Sequence, residues 1–176
     1  MRSKKAKDVA LGGLLFGLAL ALSFMESVIT PLLGLMPGIK IGLSNVVVMY
    51  ALFFMGGKQA CTLNVLKAFF VFLTRGAVAG FLSLCGGLLS LGVMTLLSKM
   101  PFKPTTYILS VCGAIFHNIG QLLAAGLVLK NAFTLAYAPV LLVSGLLMGA
   151  LTAKGLSAVL PALGRMGYRI QRPEEE

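Results

Sequence analysis

The sequence predicts an all-α, polytopic membrane protein with six transmembrane helices, and three observations carry that expectation. Of 176 residues, 58% are hydrophobic and 11% are charged, about half the charge fraction of a soluble domain. The apolar residues form long runs, many near the roughly 20 residues that cross a bilayer. The strict apolar–polar alternation of a membrane β-barrel is absent. Most of the 15 Lys and Arg sit at the ends of apolar runs, where membrane topology places cations. That placement accounts for the formal net charge of +10, so the lipid bilayer is the expected partner and nucleic acid is not.

In order, Arg2, Lys4, Lys5 and Lys7 precede a first helix over residues 9–26. A basic start before an apolar run also describes a secretory leader, with small residues at Ala19 and Ala21 for cleavage. The span length of the run and the equal apolarity of the remaining chain favour a helix. Glu26 is expected to end it, because Pro31, Gly34, Pro37 and Gly38 read as a loop. A second helix is predicted over 39–55, and Gly56-Gly57-Lys58-Gln59 as a turn. The uncharged residues flanking Lys67 and Arg75 extend over Ala60–Ser98, too long for one crossing. They divide into helices over 60–77 and 81–98, with the break at Gly76 to Gly80. Lys99 to Thr106 is a polar loop, followed by helices over 107–129 and 138–159. Together, 1–176 is expected to form a single membrane domain.

Basic residues orient these spans. With the N-terminus inside, the inner side holds Arg2 to Lys7, Lys58, Lys99, Lys103, Arg165, Arg169 and Arg172. The outer side holds Lys40, Arg75 and Lys130. This positive-inside bias favours an even number of spans with both termini cytoplasmic in the plasma membrane.

Polar residues then acquire depth. A cation within a membrane helix costs roughly 2.5–3.5 kcal/mol on insertion scales, so Lys67 and Arg75 call for a polar cavity or a partner. At about 100° per residue, Asn64 and Arg75 lie about 20° apart, with Lys67 about 60° to the other side. His117 and Gln121 lie about 40° apart on the fifth helix, and Asn118 about 100° from His117. With Glu26, Lys40 and Asn45, these residues outline an expected pocket open to the outside. Each has a structural alternative. Lys67 can snorkel, and Arg75 can simply mark the interface. His117 can bond a backbone carbonyl, while Asn45, Asn118 and Gln121 can tie helices together. Glu26 is the obvious partner for Arg75 or Lys40, whereas Lys67 has none that the sequence reveals. One acid does not neutralise three cations, which favours an anionic or acceptor-rich ligand.

Two small-residue stripes recur at four-residue spacing, Gly13-xxx-Gly17-xxx-Ala21 and Gly145-xxx-Gly149-xxx-Ala153. Such stripes admit close helix approach, within the bundle or from a partner subunit. Cys61, Cys85 and Cys112 lack ligand spacing and read as small buried hydrophobes. No metal site and no cofactor are expected.

Glu26-Ser27 with Pro31, Pro37-Gly38-Ile39-Lys40-Ile41-Gly42-Leu43-Ser44-Asn45, and Gly113-Ala114 with His117-Asn118-x-Gly120-Gln121-Leu122 carry a resemblance. The chain resembles the Gx transporter family, also known as heptaprenyl diphosphate synthase component I of the small membrane type. More distantly it is similar to S components of energy-coupling factor (ECF) vitamin transporters. That likeness implies a six-helix S-component-like bundle that binds a vitamin- or cofactor-precursor-like small molecule from outside. It also implies a T-type transmembrane subunit and ATPase subunits, docked on the first-helix stripe Gly13, Gly17 and Ala21.

The alternative reading is a membrane accessory or anchor for a soluble prenyl diphosphate synthase subunit. A third is a proton-coupled carrier in which His117 and Glu26 titrate. Catalysis by the chain itself is not expected. Prenyl diphosphate synthases hold Mg²⁺-diphosphate with clustered aspartates, but the acids here are Asp8, Glu26 and Glu174 to Glu176. There is likewise no Gly-x-x-x-x-Gly-Lys-Ser/Thr loop for ATP.

Overall fold

The computed structural model describes residues 2–32, 34, 43–101, 104–130, 136 and 138–165. They form six α-helices: α1 Arg2–Leu32, α2 Asn45–Met55, α3 Gly57–Arg75, α4 Ala77–Ser98, α5 Thr106–Leu129 and α6 Ala138–Arg165. No strand occurs among the described residues. Chain neighbours pack side by side from α2 to α6, and α1 lies against α2 and α3.

Four boundaries differ from expectation for local reasons. Helix α1 does not end at Glu26 but continues through Pro31. Glu26 is fully buried, and its Oε1 accepts a hydrogen bond from the Leu43 backbone N–H at 3.4 Å, so the acid is received by the fold. Helix α2 begins at Asn45 after a turn at Leu43 and Ser44, and residues 39–42 of the expected helix lie outside the described residues. The α2–α3 and α3–α4 turns each shrink to one glycine. Gly56 and Gly76 have φ of 93° and 89°, a region open to glycine and closed to most side chains.

Helix α2 is buried nearly all round, as an apolar helix without a polar face requires. Around it, Leu15 and Ala19 of α1, Ala60 and Leu63 of α3, Leu91 and Met94 of α4 and Leu109 of α5 complete the main core. Helix α3 has the opposite arrangement to a soluble amphipathic helix. Val65, Leu66, Phe69, Phe72 and Leu73 are exposed, whereas Asn64 and Lys67 are buried.

Four helices are long and apolar enough to cross a bilayer, over Asp8–Ile29, Ala77–Ser98, Thr106–Leu129 and Ala138–Gly155. Helix α3 is not among them, because Lys58, Lys67 and Arg75 lower its hydropathy. Helix α2, with 11 residues, rises only about 16 Å, half of a hydrocarbon core. Exposed Leu, Phe and Val side chains recur along α1, α3, α5 and α6, a surface that matches lipid rather than water.

Candidate functional site

The buried polar side chains converge on a seam in α4. Ser83, Gly87 and Ser90 recur at helical spacing on its buried face, and Gly86 lies beside them. A Cβ added to Gly86 would stand 2.7 Å from the His117 carbonyl oxygen and 2.8 Å from Gln121 Cγ, while one on Gly87 would overlap the Asn64 amide. The absence of side chains there lets α3 and α5 bring their polar residues to one level. A Cβ on Gly120 would meet the Gly86 Cα at 2.8 Å, so the α4–α5 approach is close from both sides.

A hydrogen-bonded chain crosses four helices through this seam. Lys67 Nζ donates to Asn45 Oδ1 at 3.4 Å, Asn45 Nδ2 to Ser90 Oγ at 3.4 Å, and Ser90 Oγ to the Gly113 carbonyl at 2.7 Å. Lys67 is only 1% exposed, and the charge that acts on it is the carboxylate of Glu26. The partners of Lys67, which no local pattern reveals, thus come from α1 and α2 together. Beside Asn45 and Ser90 lies a cavity of about 10 Å³, lined also by Ser110, Met94, Met148 and Thr152, with room for about one water.

The other expected site residues separate into distinct environments. His117 and Gln121 lie one turn apart, fully buried, with their Nε2 atoms 2.9 Å apart. Asn118 turns to α6, donating to the Leu141 carbonyl at 2.6 Å and to Ser144 Oγ at 3.2 Å, so it ties two helices together. Arg75 is half-buried at the end of α3, and its Nη1 has no hydrogen-bond partner among the described residues. Lys40 lies outside the described residues.

Among the described residues, Asn64 is fully buried with neither amide atom hydrogen-bonded, and Ser83 Oγ is in the same condition. Ser83, Gly86, Gly87 and Ser90 carry no charge and little bulk, so a search for polar anomalies passes over them. Their spacing of small and hydroxylated residues is the signal that marks such a seam.

Two further expectations need revision or division. Cys61 is exposed, not buried, while Cys85 and Cys112 are half-buried. The stripes part company: Gly13, Gly17 and Ala21 are exposed, whereas Gly145 and Gly149 are pressed against α5. Among the described residues no group of three His, Cys, Asp or Glu is placed to hold a metal.

Long apolar helices, a lipid-like surface and a polar layer sealed between them define a helical membrane protein with a charged interior. A family model described as heptaprenyl diphosphate synthase component I matches residues 15–159, and the chain belongs to that family. No curated protein and no solved structure matches it.

Proposed function

We propose that this chain is the membrane-embedded, non-catalytic component of polyprenyl diphosphate synthesis, working with a soluble prenyl diphosphate synthase subunit. The observation that supports this reading is the family match over residues 15–159 in a chain with five acidic residues and no aspartate cluster. Magnesium diphosphate needs several carboxylate oxygens, so ionisation of an allylic diphosphate falls to a partner. The chain would keep the growing isoprenoid at the membrane, where its tail is soluble. In this reading it crosses the plasma membrane six times with both termini cytoplasmic and forms one domain. The basic-residue bias and the exposed apolar face of α3 support that topology.

Affinity purification of the tagged chain from mild-detergent membranes tests the proposal. Prenyl chain-elongating activity should co-elute with it and fall on its removal from the cell. Retention of an ATPase pair without that activity would overturn this reading.

A second reading is the S component of an ECF-type transporter, taking up a small molecule from outside. One observation favours it: the Gly13, Gly17 and Ala21 stripe of α1 is exposed, with nothing among the described residues within 4 Å of a Cβ built on either glycine. Gly17→Leu should then abolish co-purification of the T-type and ATPase subunits. An unchanged complex would remove α1 as the docking face.

A further inference from the structure

The buried face between α3 and α4 has more hydrogen-bond donors than it uses. An ammonium has three donors, and among the described residues Lys67 Nζ makes one hydrogen bond, to Asn45 at 3.4 Å. Asn64, one turn away on the same buried face at 0% exposure, leaves both amide atoms unpartnered among the described residues. Across from it, Ser83 is 1% exposed with its hydroxyl unpartnered among the described residues, one turn from the glycine on which Asn64 rests. Buried polar groups are normally satisfied, so three incompletely used groups on one seam mark a place built for something else.

That remaining capacity is dominated by N–H and O–H, with the Asn64 oxygen as its main acceptor. The complement is a group with several acceptors and negative charge. Arg75, two further turns along α3 and about 12 Å distant by helical rise, adds another buried donor without a partner among the described residues. The face therefore has a cationic approach as well as a cationic seat.

Glu26 lies on the α2 side of that seat: its Oε1 accepts from the Leu43 N–H, two residues from the Asn45 that receives Lys67. Its carboxylate is buried and acts electrostatically on Lys67. It is carried by α1, which packs mainly on α2 and α3 and leaves much of its surface exposed. An acid on a peripheral helix, within electrostatic range of the central cation, occupies the electrostatic role of a ligand's oxyanion.

We propose that Lys67, Asn64 and Ser83 form a binding site for a phosphoryl oxyanion, with Glu26 as an internal stand-in that the ligand displaces. The assignment rests on the polyprenyl reading only for the choice of an isoprenoid probe; the anion site itself requires no partner subunit. The phosphoryl group can belong to a prenyl diphosphate or to free diphosphate, and the two probes separate these sources.

The test is equilibrium binding of farnesyl diphosphate and of inorganic diphosphate to the purified full-length chain in detergent. Binding of either to the wild type is expected. Asn64→Asp keeps the shape and exchanges amide donors for a carboxylate, and should weaken binding at least about tenfold, the scale of a lost charge-assisted hydrogen bond. Lys67→Gln should do the same. Glu26→Gln should act in the opposite direction, tightening binding several-fold, an outcome that a merely structural acid would not produce. Should the Lys67 or Glu26 variants fail to fold, Ser83→Ala supplies the smallest perturbation and should weaken binding a few-fold. Binding of farnesyl diphosphate alone assigns the site to an isoprenoid; binding of both assigns it to the diphosphate group. No binding of either probe, or binding that Asn64→Asp and Ser83→Ala leave unchanged, would overturn the proposal. Because no synthase partner is present, failure here is distinct from failure of co-purification.

Discussion

Helices α1 and α6 carry the same spacing of small residues, and the bundle treats them in opposite ways. On α6, a Cβ at Gly149 would stand 2.5 Å from the Val111 Cα, and one at Gly145 would stand 3.2 Å from the Ile115 Cα. On α1, Gly13, Gly17 and Ala21 face outward with no neighbour against either glycine. A small-xxx-small stripe specifies that a backbone can approach closely; it does not specify whose backbone. In α6 the answer is α5, its neighbour in the chain. Among the described residues α1 has no such answer.

The comparison can be broken most forcefully at Gly149. Gly149→Leu places a side chain where the α5 backbone already lies, and overpacking of this kind costs roughly 1–3 kcal/mol or more. The expected result is loss of the monodisperse species in size-exclusion chromatography, or a large fall in thermal stability in detergent. A stable, monodisperse Gly149→Leu would mean that α6 does not seat against α5 as described.

A smaller effect sharpens the α5–α6 contact. Asn118→Leu removes the bonds to Leu141 and Ser144, worth about 1 kcal/mol each. Thermal unfolding should shift down by an amount clearly smaller than for Gly149→Leu. A shift equal to it would make the polar tie, not backbone proximity, the main attachment of α6.

The smallest effect on the fold is expected at the bare stripe. Gly17→Leu places its Cβ within 4 Å of nothing among the described residues and should change stability by about 0.5 kcal/mol or less. If it destabilises the isolated protein as much as Gly149→Leu, the two stripes are equivalent and the contrast fails.

The same contrast runs through what is legible in the chain alone. The approximate extents of α3 to α6 follow from apolar runs broken by glycine, proline and charge. Lys67 and Asn64 can be placed on one face from helical angles alone, and both are buried there. The end of α1 is misjudged from sequence, because Glu26 looks like a boundary when considered along the chain. Glu26 is instead received by Leu43, in the turn before α2, and placed near Lys67 on α3, 41 residues further along the chain. The α4 seam escapes for another reason. Gly86 and Gly87 act by leaving room, and Ser83 and Ser90 are small and uncharged, so none of the four produces a charge or strong hydropathy signal.

By itself, the sequence determined that the chain is helical and belongs in a membrane, and which residues are too polar to face lipid. Those properties depend on composition and on a local period of 3.6 residues, so they can be read without knowing what packs where. Only the tertiary structure decided that Lys67 bonds Asn45 within electrostatic range of Glu26, that Asn118 turns to α6, and that one small-residue stripe is consumed while the other stays open among the described residues. These outcomes depend on which helices become neighbours, and helix neighbours are chosen by shape across long stretches of chain rather than by any local pattern.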